Sequence, residues 1–249
     1  DALPISRSIC HSRKGKLLMA NVTPVFIPGL LCTEWLFHGQ ADIFSATAVF
    51  ADTRQHDSIT AMATAALAQT SGQLVPIGLS MGGYVALEMA RLAPVRISAL
   101  ALFSTNCRQD NDAQRAYREQ AIHLAQQDGF RGVTRQFLGK FLSSQALADA
   151  ALVDGVLAMA ADIGRLTFAK QQHAILGRRA QHDTLAALQV PLSIVCGVDD
   201  TLTPPHLSQE MADLVPHADL RLLPDVGHLS TLEAPDACRD TLIDLMARL

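Results

Sequence analysis

Residues Gln73–Leu92 read QLVPIGLSMGGYVALEMARL. Gln73–Gly78 has the length and apolar character of a strand and Met81–Leu92 the pattern of a helix, so Ser80 falls on the turn between them. That turn, Gly78–Gly83, is GLSMGG, a G-x-S-x-G elbow that lifts the serine Oγ off a sheet. Side chains at its flanking positions would collide with the neighbouring strand and helix, hence the glycines. The helix N-terminus adds backbone N–H donors and a positive dipole end where an oxyanion would form. Pro76 is the discordant residue, because it removes a ladder donor from what should be a central strand.

On either side of the elbow the chain alternates short apolar runs with amphipathic segments, the pattern of a mostly parallel sheet covered by helices, an α/β fold. The predicted strands are Val22–Ile27, Ala46–Ala51, Gln73–Gly78, Ile97–Phe103, Leu192–Gly197 and Leu220–Leu223. The predicted helices between them are Ser58–Gln69, Met81–Leu92, Pro205–Leu214 and Pro235–Leu249. Asp57, Ser58 and Ser80 stand where helix caps belong, and Pro205 suits a first helical turn. One interval breaks the alternation. Residues 107–183 contain no strand pattern but helical stretches at Asp112–Gln127, Gly132–Leu142, Gln145–Met159 and Leu166–Leu176. Binding sites in such sheets lie beyond the carboxyl ends of the strands, so this insert is expected to be a helical cap over the site, on a core of residues 19–106 and 184–249. The alternative is a second helical layer of the core.

The 249 residues are 49% hydrophobic and 18% charged, as in a folded globular domain and unlike disordered or fibrous chains. A net charge of −4 lacks the basic excess that nucleic acid demands, so no such partner is expected. No apolar run reaches the roughly 18 residues of a membrane span and no signal-peptide pattern opens the chain, so neither membrane insertion nor secretion is expected. Five widely separated cysteines, at 10, 32, 107, 196 and 238, suit a reducing cytoplasm better than a disulfide framework or a metal site. Residues 1–18 show no clean period, and DALPIS is what a common sequencing adapter would translate to. They are expected to be a non-native or disordered extension, with the domain starting at Met19.

Two further loops carry chemistry: GVDDTLTPP at Gly197–Pro205 and DVGHLSTLEAP at Asp225–Pro235. With the GLSMGG elbow they stand in the order serine, acid, histidine, each after a predicted strand. In these three loops the chain resembles the α/β-hydrolase-fold serine hydrolases, over essentially all of residues 20–249. The histidine follows from geometry alone. A residue just after a parallel strand lies at the edge where Ser80 emerges, and one just before a strand lies at the opposite edge. His217 precedes the last strand and His206 sits at a helix start behind the acid, which leaves His228. The remaining histidines, His11, His38, His56, His123, His173 and His182, show no metal-ligand spacing. The acid is Asp199 or Asp200, neighbours that composition cannot separate. The family pattern, with its acid three residues before a threonine-proline pair, implies Asp200.

The oxyanion hole is expected to use the N–H of Met81, the residue after the nucleophile, and one from the loop after the first strand, IPGLLCTEW at Ile27–Trp35. The resemblance implies Leu30 as that donor, with Gly29 letting the backbone turn close to the nucleophile. Cys32 reads as packing rather than a second nucleophile. Leu31, Trp35 and Leu36, with Phe130, Phe137, Phe141 and Phe168 of the insert, are candidates for an acyl pocket, the alternative being plain core. The insert carries ten Lys and Arg against eight Asp and Glu, a mildly basic surface that would favour an anionic substrate or is simply solvated. The combined reading is a serine hydrolase that cleaves a small ester or lactone through an acyl-enzyme, with Ser80 attacking, His228 as base and then acid, and Asp200 orienting it, and with no cofactor or metal. The resemblance also covers family members that cleave carbon–carbon bonds, open enol-lactones or work as thioesterases or acyltransferases, and the alternative from a different class is a triad-bearing small-molecule receptor with little turnover. A haloalkane dehalogenase is disfavoured, since it would need a carboxylate at position 80.

Overall fold

The computed structural model describes residues 22–44, 47–127 and 133–249, with the backbone at 10–11 and 17–18. Cys10–His11 (β1) and Leu17–Leu18 (β2) pair antiparallel as a separate two-stranded sheet, where the sequence shows no strand pattern. The rest of the 1–18 extension and the expected Met19 start lie outside the described residues.

The central strands are buried on both faces, which only helices laid on each side of a sheet provide. Val22–Ile27 (β3), Val49–Phe50 (β4), Gln73–Leu79 (β5), Leu100–Phe103 (β6), Leu192–Gly197 (β7) and Asp219–Leu223 (β8) form one sheet. Its order is β4-β3-β5-β6-β7-β8, and every neighbouring pair is parallel. Alternate side chains go to opposite faces. Phe26, Ile77 and Phe103 join a core with Pro235–Met246 (α9), while Val25, Leu74 and Leu102 face Ile59–Ala68 (α1), Met81–Leu92 (α2) and Pro205–Asp213 (α7). Ser58 caps α1 by accepting the Ala61 N–H at 3.1 Å, and Pro205 opens α7, both as the sequence indicates.

Two strands are shorter than expected. Only Val49–Phe50 pairs from the Ala46–Ala51 run, whose residue 46 lies outside the described residues, and Ile97 contributes an isolated bridge ahead of β6. That bridge explains Pro76. Leu74 O accepts from Ser98 N at 2.9 Å and Ser80 N donates to Phe103 O at 3.0 Å, so even-numbered residues of β5 face β6. On this side the pairing passes from Leu74↔Ile97 to Ile77↔Ala101, so the β6 segment holds one residue more than β5. The N–H that proline lacks therefore falls at a bulge rather than within a regular run of the β5–β6 ladder, while the pairing of β5 with β3 runs through Val25↔Pro76 without a break.

Between β6 and β7 stand Asp112–Gln126 (α3), Ser144–Leu147 (α4), Ala150–Leu176 (α5) and His182–Ala186 (α6). The expected helix over 132–142 is a 3₁₀ segment, Arg135–Lys140, and the two expected helices after it run together as α5, broken at Gly164, where φ is +70°. Where the insert leaves and rejoins the sheet it is tied by charge. Asp110, its side chain fully buried, pairs with Arg118 at 2.6 Å and with Arg178 at 2.8 Å, and the Arg178 guanidinium lies 4.4 Å from the centre of the Tyr84 ring on α2. Gln181 N donates to Cys107 O at 2.7 Å. Among the described residues no helix is long and apolar enough to cross a membrane.

Glu88 closes this junction from α2, accepting from Thr60 Oγ1 at 2.6 Å, Arg91 Nη2 at 2.7 Å and Gln181 Nε2 at 2.7 Å. Burial alone would raise its pKa, but these donors outweigh it and bring the carboxyl from 4.5 down to about 2. A depressed folded-state value stabilises the fold above the unfolded pKa and loses that contribution as pH falls through the folded one. Chemical denaturation at stepped pH should show stability declining between 4.5 and about 2, with a shallower decline in Glu88→Gln. Equal slopes for the two proteins in that window would show that Glu88 does not carry the effect.

Candidate active site

Ser80 sits between β5 and α2 with φ +56° and ψ −116°, a conformation that serine rarely adopts. Its carbonyl accepts from Thr105 Oγ1 at 2.8 Å and Gly83 N at 2.9 Å. The glycines are there for space. A Cβ on Gly78 would overlap the Gly82 backbone, one on Gly82 would overlap the Ile27 carbonyl, and one on Gly83 would meet Thr105 Oγ1 at 2.5 Å. The elbow is thus wedged against the end of β3.

The loop after β3 lies over this elbow, since a Cβ on Gly29 would come within 3.4 Å of Ser80 Cβ and 3.1 Å of Leu79 O. Leu31 holds φ +61°, and Cys32 N donates to Gly29 O at 3.2 Å. Leu31 N donates to Gln171 Oε1 of α5 at 3.1 Å. Among the described residues the N–H groups of Leu30 and Met81, the two expected oxyanion donors, make no hydrogen bond. The Cys32 thiol is buried, and loss of solvation pushes its pKa up to about 12, which leaves it protonated and inert.

After β7, Asp200 is buried and fully bonded. Its Oδ1 accepts from Leu202 N and Thr203 N, each at 2.9 Å, while Oδ2 accepts from Thr203 Oγ1 at 2.7 Å and lies 2.9 Å from His228 Nδ1. Burial works to raise its pKa, but the imidazole beside it and the Thr203 donors outweigh that and hold it below the usual carboxylate range. Asp199 is exposed, so of the two neighbours the structure pairs Asp200 with the histidine. His206 is exposed, and His217 bonds Val190 O at 2.9 Å, just ahead of β7 and away from the elbow. Ser80 Oγ makes no hydrogen bond to His228 here; in ligand-free enzymes that contact is often long and tightens only with substrate.

The histidine loop is braced from two sides. His228 N and Leu229 N donate to Phe141 O at 2.9 and 3.2 Å. The Glu233 carboxylate accepts from Gly227 N at 2.9 Å, Leu229 N at 3.2 Å and, across to the insert, Ser143 N at 2.9 Å. Sequence reading missed Thr203, Gln171 and Glu233. An acid three residues before a threonine signals a local side-chain turn and would have found Thr203, whereas no local pattern announces Gln171 or Glu233.

The aromatic candidates scatter. Phe168 is buried with Leu31, Ala125, Ala160 and Ile163, and Leu30 packs against this cluster. Trp35 stacks on His38 with centroids 5.0 Å apart, and Gly155 of α5 leaves room for its indole. Leu36 belongs to the main core, and Phe141 packs at its edge. Phe137 is 46% exposed beneath Lys140 Nζ, and Phe130 lies outside the described residues. One group among the described residues, Cys107, His182 and Glu210, brings metal-ligand atoms within 4.8 Å of one another. Its carboxylate already holds Arg108 at 2.8 Å and His182 at 2.9 Å, as expected of an ion-pair network.

A model of the alpha/beta hydrolase family matches residues 19–241. The pimeloyl-acyl-carrier-protein methyl ester esterase of Aromatoleum aromaticum is 26% identical over 200 residues, covering 76% of this chain and 80% of that protein. A thermophilic esterase of Thermogutta terrifontis shares the fold with a TM-score of 0.79 at 23% identity, over 90% of this chain and 89% of that one. The enol-lactonase of Burkholderia xenovorans does so with a TM-score of 0.78 at 20% identity, over 92% of each. The family match runs from ahead of β3 into α9 and takes in the elbow and both loops that follow it, and the chain belongs to the alpha/beta hydrolase family.

Proposed function

We propose that this hydrolase cleaves a small ester or lactone through an acyl-enzyme formed on Ser80. The observation that carries the reading is the buried Asp200–His228 pair, 2.9 Å apart, on loops at the same sheet edge as a serine elbow flanked by two unbonded N–H groups. An ionised Asp200 only accepts, so the Nδ1 proton of His228 points at it and Nε2 is left to act as base. Thr203 supports this tautomer, because its hydroxyl proton is spent on Asp200 and its oxygen, 3.3 Å from Nδ1, can only accept.

In the proposed cycle Ser80 Oγ attacks the substrate carbonyl carbon while His228 Nε2 takes its proton. The carbonyl oxygen becomes an oxyanion between the N–H groups of Leu30 and Met81. Collapse of this intermediate expels the alkoxide, which receives the proton from His228, and leaves an ester on Ser80. Water, deprotonated by the same Nε2, repeats the sequence and releases the acid. Asp200 stabilises the imidazolium each time it forms. No step calls for a metal or cofactor. That the family relatives include a methyl ester esterase and an enol-lactonase supports small oxygen esters and lactones as substrates. Residues 107–183 serve as the cap, with Phe168 and its cluster at Leu30 and Leu31 forming the acyl wall. Among the described residues Cys32, Cys107, Cys196 and Cys238 are buried free thiols, which suits a reducing cytoplasm as its location.

Steady-state assays against esters and lactones of varied acyl length test the proposal. Turnover should vanish in Ser80→Ala, fall about 10³- to 10⁴-fold in Asp200→Asn, and stay within about twofold of wild type in Asp199→Asn. The reverse ranking of the two aspartates, or turnover surviving in Ser80→Ala, would refute the assignment. The same assays locate the acyl wall. Phe168→Ala should move the preferred chain length by a methylene or more, each typically worth about 1–3 kcal/mol of discrimination, whereas Phe137→Ala should leave it in place. A thermal melt must accompany both, since cutting a buried phenylalanine to alanine costs about 3–5 kcal/mol. An unchanged preference in folded Phe168→Ala would put the wall elsewhere.

A further inference from the structure

We infer that Gln171 is a positioning residue that holds the oxyanion loop in its donor-presenting shape, so that the cap, through this one side chain, completes the site. The inference rests on the proposed function for its catalytic consequence, but the clamp itself is a geometric claim. Gln171 lies on α5, past the break at Gly164, and is completely buried. Its Oε1 accepts the Leu31 N–H at 3.1 Å and its Nε2 donates to Thr53 O at 3.3 Å, in the segment that follows β4. A flipped amide would set donor against donor at Leu31 and acceptor against acceptor at Thr53, so the orientation is unique.

The bond acts where the loop is least able to hold itself. Leu31 has φ +61°, a left-handed conformation that a branched side chain adopts only under external constraint. The Leu31 N–H turns into the insert, while the Leu30 N–H, next in the chain to the Gly29 that lies against Ser80, remains unbonded. Between Gly29 and Cys32 the loop itself contributes only Cys32 N to Gly29 O at 3.2 Å, a weak thiol bond from Cys32 Sγ to Leu30 O at 3.4 Å, and apolar packing. Without Gln171, the buried Leu31 N–H has no partner and the loop gains free energy by turning the Leu30–Leu31 peptide plane, and releasing the left-handed Leu31, to find one. That plane meets the Gly29–Leu30 plane, which carries the Leu30 N–H, at the Leu30 Cα, so the Leu30 N–H is pulled out of place with it. The selection of Gln171 thus sets where Leu30 points without touching the substrate.

The test uses the full chain with Gln171→Met, which keeps the volume and removes both bonds, read by amide hydrogen exchange and by kinetics. Exchange across residues 28–34 should accelerate while the sheet strands keep their protection. On the best ester found for wild type, kcat should fall about 10- to 100-fold with KM within about threefold, up to the 10² to 10³ that removal of an oxyanion donor costs. Loss of a merely structural contact would not divide kcat from KM in this way. If Gln171→Met does not fold, Gln171→Asn decides by the same measurements, its shorter arm being unable to span Leu31 and Thr53 together. Unchanged exchange across 28–34, or faster exchange with kcat within twofold of wild type, would overturn the inference. A wild-type chain without turnover would defeat the proposed function, and the exchange result would still decide the clamp.

Discussion

At the foot of α2 there is no room for a methyl group: a Cβ on Gly82 would overlap the Ile27 carbonyl, and one on Gly78 would overlap Gly82 itself. This backbone contact lets the helix start against the end of the neighbouring strand, and it throws Ser80 into its left-handed turn. The same contact brings the loop after β3 over the serine and leaves the N–H groups of Leu30 and Met81 unbonded. Everything else at the sheet edge is arranged around that wedge. The Asp200 and His228 loops follow β7 and β8, strands that run parallel to β5, so topology alone delivers them to the same edge.

Some polar bonds of the insert are exposed, as Arg54 to Asp162 at 2.6 Å, but buried ones reach the loops that carry the candidate residues. Gln171 reaches the loop after β3, the Phe141 carbonyl and Ser143 N–H reach the loop that holds His228, and Asp110 with its two arginines fixes the point where the insert enters and leaves. A buried ion cluster of this kind costs desolvation and contributes little net stability, but breaking it leaves uncompensated charge, so it favours one docked arrangement over others. The insert thus contacts both the loop after β3 and the loop that holds His228.

Much of this was legible in the sequence because it is local. The GLSMGG turn, the Ser58 cap, Pro205 and the choice of His228 over His217 each depend on a few consecutive residues or on which side of a strand a residue falls. The unreadable parts depend on register or on distant partners. Pro76 looks anomalous until the pairing of β5 with β6 shows a bulge beside it. Gln171 meets Leu31 across 140 positions, and Glu233 meets Ser143 across 90. The aromatic residues of the insert share a composition but not an environment: Phe168 is buried against the oxyanion loop, while Phe137 faces solvent. Helical spacing sorts residues onto faces, and only packing says what each face meets.

The central claim is that a covalent ester forms on Ser80, and intact-protein mass spectrometry after rapid acid quench tests it most directly. Mixed with an activated short-chain ester and quenched within its first turnover, wild-type protein should gain the mass of one acyl group, located at Ser80 by fragmentation, and Ser80→Ala should gain none. His228→Ala should accumulate the adduct far more slowly, for want of a base. Turnover of the ester with no adduct at any quench time, or an adduct on another residue that persists in Ser80→Ala, would contradict the account.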